Sequence, residues 1–167
     1  IYTSTLLRAI NTGKFYADSY GIKDISSSPA LREVNYGKLY NKNKKWVEKN
    51  IPRHKKDADF VYPDGESFLQ MQERSVAFME SLAEKHPDET LLVVVHAGVI
   101  RGLISHCLEL DYSSNLKRRI GHQYIGDFTI EGKSCVRYDE LGKPSGFVKD
   151  GIVKVPLYRK VPETAKS

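Results

Sequence analysis

The sequence predicts an α/β fold, a three-layer α/β/α sandwich built on a mostly parallel sheet with a C-terminal hairpin. Three observations support this class. Strand-like segments alternate with helical patterns, the run from Leu91 to Val95 is apolar throughout, and the last third of the chain contains two short strand patterns around a turn. A continuous apolar run is typical of a strand that is covered on both faces of a parallel sheet.

The first strand–helix unit lies at the start of the chain. Residues 1–4 resemble the end of a strand, and Thr3 or Ser4 is expected to cap a helix whose apolar positions extend to Tyr16. A short extended piece around Ile25 and a Ser-Pro turn follow. This order is that of a strand, a crossover helix and a second strand.

The remaining elements follow in the same order. Residues 66–86 carry a broad helical stripe that Pro87 ends, and residues 99–108 form another apolar helical face just after the Leu91 to Val95 strand. Residues 124–130 and 134–139 alternate around a glycine turn and predict the hairpin. The length of 167 residues fits one core, so residues 1–167 are interpreted as a single domain.

The net charge of +5 is concentrated in one segment. Between Lys38 and Lys56, eight lysines and arginines face a single glutamate. We interpret residues 38–62 as a basic surface excursion or cap, with Lys45 a candidate substrate contact. Such a patch attracts nucleic acid, an acidic surface or a small phosphorylated substrate, and charge alone does not choose among them. Nucleic acid is disfavoured because the segment lacks the aromatic interleaving of known readers.

The cysteines and the hydropathy bear on the protein's environment. Cys107 and Cys135 form no CxxC pair, which favours a reducing compartment and a cytoplasmic location, and packing accounts for Cys107. No apolar run approaches the length of a membrane-spanning helix, so the sequence predicts a soluble protein without a membrane partner. The histidines and cysteines at positions 106, 107 and 122 lack a metal-ligand spacing, so no metal is expected.

Four polar residues suggest chemistry at the carboxyl ends of the strands, where ligands collect in parallel sheets. His96 directly follows an apolar strand and is well placed to contact a phosphoryl oxygen. Ser4 and Arg8 share a face of the first helix at its positive end, where a guanidinium grips phosphate. Glu33 is a candidate proton donor. Each residue alone also fits an ordinary structural role or a surface ion pair, so only the combination is informative.

With these pieces in place, the sequence resembles the histidine phosphatase superfamily, which includes cofactor-dependent phosphoglycerate mutases and related phosphatases. Four segments match the family's motifs in order: residues 2–12 (YTSTLLRAINT), 31–37 (LREVNYG), 63–67 (PDGES) and 93–101 (VVVHAGVIR). The resemblance covers residues 1–110 well and the rest loosely.

The resemblance implies roles for individual residues. Arg8 binds the phosphoryl group, and Glu33 donates a proton to the leaving oxygen. His96 stabilises the phosphoryl group during its transfer, and the Ala97 amide holds one of the phosphoryl oxygens. Ser4 borders the same pocket. Substrate contacts are also expected from two residues at the start of the long helix, Glu66 and Ser67.

The sequence departs from the family pattern at the nucleophile. The family's Arg-His-Gly motif, which ends its first strand, is absent from these residues, and Arg53-His54 is followed by Lys55. The first strand is therefore expected to be missing from this chain. Three explanations are considered. The segment lies elsewhere in the same protein or on another chain, neighbouring copies in a homo-oligomer exchange it, or this chain is a degenerate, non-catalytic member of the family.

The functional prediction is phosphomonoester hydrolysis of a small phosphorylated metabolite through a phosphohistidine, with the nucleophile outside this chain and no cofactor. Two alternatives stay open, a phosphoglycerate mutase-type transfer and a non-catalytic protein that binds a phosphorylated ligand or acts as a scaffold. Hydrolysis is favoured over the mutase reaction because the segment between Gly37 and Pro63 is short.

Overall fold

The computed structural model describes residues 1–122 and 124–141, together with the backbone of residues 158–160. Its strands and helices, in chain order, are β1 (Tyr2–Ser4), α1 (Leu7–Tyr20), β2 (Ser26–Ser28), α2 (Lys44–Asn50), α3 (Phe68–Lys85), β3 (Val93–Val94), α4 (Ala97–Cys107), α5 (Tyr112–Asn115), β4 (Gly126–Glu131), β5 (Ser134–Glu140) and β6 (Tyr158–Lys160). Short 3-10 turns occupy Pro29–Leu31 and Gly37–Leu39.

The strands form two sheets. One is parallel, in the order β2-β1-β3, and the register sets Tyr2 beside both Ser26 and Val93. The other is antiparallel, in the order β4-β5-β6. The α/β class, the parallel sheet and the C-terminal hairpin are therefore confirmed. Within the described part of the chain, β3 pairs with β1 alone and β4 pairs with β5 alone, so each has one unpaired edge.

The central strand differs from the sequence prediction. We expected the run Leu91 to Val95 to be covered on both faces, but β3 contains only Val93 and Val94, which are both partly exposed, and Leu92 is 38% exposed. The expected complete burial is wrong for these residues. The reason is that β3 lies at the edge of its sheet in the described residues and gains neighbours on one side only.

Helix α1 begins later than predicted. Neither Thr3 nor Ser4 caps it, because the cap position is Leu6, which makes no side-chain capping hydrogen bond. Ser4 instead accepts a hydrogen bond from the Leu6 amide at 3.3 Å, while its hydroxyl also contacts a histidine described below. Helix α3 does show a capping box, in which Ser67 and Gln70 satisfy each other's backbone amides.

Two apolar clusters anchor the helices to the sheets. One surrounds Met71 and Val99 where α3 meets α4, and the other surrounds Ile104 and Tyr138 where α4 meets β5. The basic segment 38–62 contributes Ala58 and Tyr62 to the first cluster, and its Val47 is also buried. This segment therefore combines a charged outer surface with an apolar underside that fixes its position.

The structure pairs Cys107 with Cys135 as a disulfide across a Cα–Cα distance of 5.2 Å. The expectation of reduced cysteines is wrong for this structure, because α4 packs on β5 and brings together residues that lie 28 positions apart. The cytoplasmic location stays a prediction without that support. Among the described helices, none is both long and apolar enough to cross a membrane.

Candidate active site

His96 and Ser4 meet at the carboxyl ends of adjacent parallel strands. His96 follows β3 and occupies the N-cap position of α4, while Ser4 ends β1. The imidazole Nε2 lies 2.8 Å from the Ser4 Oγ. His96 is 8% exposed and Ser4 is fully buried. Because β1 and β3 run in the same direction, their ends lie side by side, and the 92-residue separation in sequence becomes a direct contact.

The Glu33 carboxylate is held at the N-terminus of α4. Its Oε2 accepts a hydrogen bond from the Gly98 amide at 2.9 Å, and its Oε1 accepts one from the Val34 amide at 3.0 Å. The free amides of a helix N-terminus stabilise negative charge, so this end of α4 suits both a carboxylate and a bound anion. Glu33 approaches so closely that a Cβ atom at position 98 would collide with its Oε1.

The electrostatic surroundings of His96 are cationic. Burial lowers the pKa of His96, and the nearby Arg8 guanidinium lowers it further, while Glu33 acts in the opposite direction. Arg32 and Arg74 also lower it. The imidazole is therefore neutral at physiological pH, in a field that attracts a phosphate dianion. Arg8 itself is exposed in the first turn of α1, where its guanidinium is accessible to a ligand.

The structure gives Glu66 and Ser67 structural contacts. Glu66 forms an ion pair with Arg74 at 2.7 Å and accepts a hydrogen bond from the Asn35 amide at 2.9 Å. Ser67 is buried and caps α3 through its bond to the Gln70 amide. These contacts give both residues a supporting role in the structure, and their role as substrate contacts stays a prediction.

Arg74 is a residue that the sequence did not single out. Its guanidinium holds both carboxylate oxygens of Glu66 and donates to three backbone carbonyls in the segment that carries Glu33: those of Ala30 at 2.6 Å, Arg32 at 2.8 Å and Glu33 at 3.4 Å. Arg74 therefore fixes the acid-bearing segment against α3. Nothing in the sequence distinguishes it from the other charged residues of this amphipathic helix.

Two further substrate contacts were predicted, at Ala97 and at Lys45. Ala97 is the first residue of α4, so its amide belongs to the helix N-terminus beside His96. Lys45 lies on the exposed first turn of α2, and the structure records for it a backbone bond to Asn43 within the same helix cap. Lys45 as a substrate contact stays a prediction.

The site thus combines a hydroxyl, a guanidinium, a carboxylate and an imidazole from three segments of the chain: Ser4 and Arg8 from the first, Glu33 from the second and His96 from the third. The arrangement offers cationic and hydrogen-bonding groups for a phosphoryl group, with a carboxyl group beside them. Among the described residues, no group of three or more histidines, cysteines and acidic side chains has a geometry that would hold a metal ion.

Comparisons with known proteins identify curated relatives of this chain. The chain is similar to a metal-independent phosphoserine phosphatase from Arabidopsis thaliana, with 32% identity over 109 residues that cover 62% of this chain and 46% of the relative. It is also similar to a 2,3-bisphosphoglycerate-dependent phosphoglycerate mutase from Parvibaculum lavamentivorans, with 31% identity over 112 residues that cover 62% of this chain and 53% of the relative. The chain spans about half the length of these curated relatives.

A solved structure shares the fold. A mycobacterial glucosyl-3-phosphoglycerate phosphatase superposes with a TM-score of 0.69 at 20% identity, covering 87% of this chain and 76% of the other. The profile of the histidine phosphatase superfamily (branch 1) matches residues 1–137. Because this match extends over most of the chain, through both the His96 and the Glu33 segments, the chain belongs to the histidine phosphatase superfamily.

Proposed function

We propose that the complete protein hydrolyses phosphate monoesters of small metabolites through a phosphohistidine intermediate. The observation that carries the proposal is the junction of Ser4, Glu33 and His96 at the N-terminus of α4, in the field of Arg8. Relatives that act on phosphoserine and phosphoglycerate belong to the same family, which supports a small phosphorylated substrate.

In the proposed reaction, a histidine nitrogen outside residues 1–167 attacks phosphorus while the ester P–O bond breaks. Glu33 takes up a proton when the anionic ester binds beside it, because a neighbouring negative charge disfavours the ionised carboxylate. It then gives this proton to the departing oxygen, so an alcohol leaves. Water then attacks the phosphohistidine, the P–N bond breaks, and Glu33 recovers a proton from the water. Arg8 and His96 bind the equatorial oxygens, where they stabilise the charge of the transition state.

Two features support an additional strand that brings this nucleophile. No Arg-His-Gly sequence occurs in the 167 residues. In the described residues, β3 and β4 each have an unpaired edge. Val95, which follows β3, and Phe128, which lies in β4, both pack on the apolar cluster around Met71 and Val99. A strand placed between the two edges would join the sheets and end near His96. We propose that a segment elsewhere in the same protein supplies it.

Hydrolysis is proposed over mutase transfer because the basic segment between Gly37 and Pro63 is short and leaves little chain to enclose a bisphosphorylated cofactor. Because one relative is a phosphoglycerate mutase, phosphoglycerate is a suitable substrate for comparing the two reactions. The full-length protein is expected to release inorganic phosphate from phosphoglycerate without a bisphosphorylated activator. Interconversion of phosphoglycerate isomers that exceeds phosphate release would favour the mutase.

The test of the proposed function is turnover of phenyl phosphate by the full-length protein. His96→Gln is expected to lower kcat by about 10²–10³-fold, the usual effect of removing one donor to a developing oxyanion. His106→Gln is the matched control, because His106 lies exposed on the same helix near its other end. Equal rates for the wild type and His96→Gln, or no turnover with retained phosphate binding, would contradict the proposal and favour a non-catalytic binding protein.

A further inference from the structure

Helix α5 is bonded to the first half of α4 through two buried side chains. Tyr112 and Asn115 are three residues apart and therefore lie on one face of α5. The Tyr112 hydroxyl donates a hydrogen bond to the Gly98 carbonyl at 2.7 Å. The Asn115 side-chain amide donates one to the Arg101 carbonyl at 3.0 Å. Gly98 and Arg101 are also three residues apart, so the spacing of the donors on α5 matches that of the acceptors on α4.

Gly98 connects Tyr112 with the acid of the candidate site. Its amide donates to Glu33 Oε2 at 2.9 Å, and its carbonyl accepts the bond from the Tyr112 hydroxyl. The amides of the first helical turn have no partner within the helix, so the Gly98 amide is available to the carboxylate. The same residue is thus held on one side by the acid and on the other by the phenol.

The surroundings of Tyr112 fix the position of its hydroxyl. The side chain is 3% exposed and belongs to the apolar cluster around Met71 and Val99. Its ring meets the Phe68 ring edge to face, with the ring centres 6.0 Å apart. Asp111 caps α5 by accepting hydrogen bonds from two backbone amides of the first turn. A buried ring on a capped helix gives the hydroxyl a defined position beside α4.

The Tyr112 hydroxyl is a hydrogen-bond donor that keeps its proton. Burial raises the pKa of Tyr112, and the Glu33 carboxylate raises it further, so the phenol is neutral at physiological pH. Its partner is a backbone carbonyl, which can only accept a hydrogen bond. The hydroxyl therefore has no proton to give to a substrate, and any effect it has on the reaction acts through Gly98.

We propose that Tyr112 is a positioning residue for proton transfer: its hydroxyl fixes Gly98, whose amide orients the Glu33 carboxyl group. The inference rests on the proposed function, since it requires Glu33 to protonate the departing oxygen. Arg74 holds the backbone of the acid-bearing segment, whereas Tyr112 acts on the carboxyl end of the side chain. A small displacement of that end slows proton transfer, because the transfer requires close alignment of donor and acceptor, while Arg8 remains in place to bind the phosphoryl group.

The test compares two substrates of similar shape that differ in their need for an acid, para-nitrobenzyl phosphate and para-nitrophenyl phosphate. The nitrophenolate leaves as a stable anion, whereas the benzyl alkoxide is a poor leaving group and requires a proton. For Tyr112→Phe in the full-length protein, the ratio of kcat/KM for the benzyl ester to that for the phenyl ester is expected to fall about fivefold, as for the loss of one ordinary hydrogen bond. Because both substrates are measured on the same sample, this ratio is independent of the fraction of folded enzyme.

Two further variants show whether the hydroxyl acts through the acid. Glu33→Gln removes the proton donor and is expected to lower the same ratio by about 10²-fold or more. Adding Tyr112→Phe to Glu33→Gln should leave the ratio unchanged, because the two changes affect one function. Tyr138→Phe is the matched control and should keep the wild-type ratio. It removes another buried hydroxyl, which lies 2.7 Å from the Tyr124 hydroxyl in the cluster around Ile104.

The outcomes separate this inference from the proposed function. A wild-type ratio in Tyr112→Phe would overturn the positioning role, whether both rates are kept or both fall equally. A further fall of the ratio when Tyr112→Phe is added to Glu33→Gln would also overturn it, because the hydroxyl would then act independently of the acid. Failure of the wild type to hydrolyse para-nitrophenyl phosphate would contradict the proposed function itself, and the positioning role would fall with it.

Discussion

Replacing Arg74 tests whether one side chain holds the acid-bearing segment in place. Its guanidinium forms a two-pronged contact with Glu66 and donates to three carbonyls in the turn that leads to Glu33. The side chains of this ion pair are 26% and 20% exposed. Removing one partner of a buried pair costs about 3–5 kcal/mol, and the residual exposure places Arg74→Met near the lower end of that range.

The assay is urea-induced unfolding of the wild type, Arg74→Met, Glu66→Gln and the double variant. The two single changes affect one contact, so we expect a coupling free energy of about 2 kcal/mol. The exposed pair Arg53 and Asp57 is the matched control. The same cycle there is expected to give a much smaller coupling, because exposed ion pairs are screened by solvent.

Arg74→Lys separates charge from geometry. A lysine keeps the positive charge but lacks the planar set of five donors, so it cannot satisfy Glu66 and the carbonyls together. We expect this variant to lose most of the stability that Arg74→Met loses, and to lower kcat because Glu33 is no longer fixed. Full stability and activity in Arg74→Lys, or a coupling no larger than that of the surface pair, would refute the proposed positioning role.

Three further predictions concern the site and its support. Gly98→Ala is expected to lower kcat by about 10-fold or more, because its Cβ would displace the acid carboxylate. Gly102→Ala is the control: its Cβ would meet the Gln72 side chain at 3.3 Å and the Tyr112 hydroxyl at 3.4 Å, a much milder approach, and activity should be kept. The pKa of His96 is lowered from 6.5 by burial, so the unfolded state binds its proton more readily and stability should fall as the pH drops through about 6.5; unfolding curves at several pH values should show a smaller fall in His96→Asn. Reduction of the disulfide, which spans 28 positions, is expected to cost about 2–4 kcal/mol of stability in urea unfolding. Cys135→Ser should lose a similar amount and should not respond to the reductant; an unchanged stability on reduction would contradict the pairing.

Much of the fold could be predicted from the sequence because local patterns specify it. Periodic apolar residues locate α3, its end before Pro87 and the hairpin formed by β4 and β5. The N-terminal boundary of α1 could not be predicted in the same way. Ser4 has the chemistry of a capping residue, but its hydroxyl is instead engaged by His96, a contact between distant parts of the chain.

The candidate site could be predicted in part for the same reason. Glu33 and His96 belong to motifs that a single sequence displays, and parallel strand ends bring such motifs together. Arg74 has no motif, since its partners are backbone carbonyls whose positions depend on the folded chain. The pairing of Cys107 with Cys135 likewise depends on packing of α4 against β5, which sequence spacing does not reveal.

The most direct test of the central claim is to trap the phosphorylated intermediate. The full-length protein would be mixed rapidly with phenyl phosphate, quenched in alkali to preserve phosphohistidine, digested and mapped by mass spectrometry, with Glu33→Gln used to alter the lifetime of the intermediate. We expect one phosphohistidine, in a peptide outside residues 1–167. Phosphate turnover without any phosphohistidine, or phosphorylation of a histidine within residues 1–167, would contradict it.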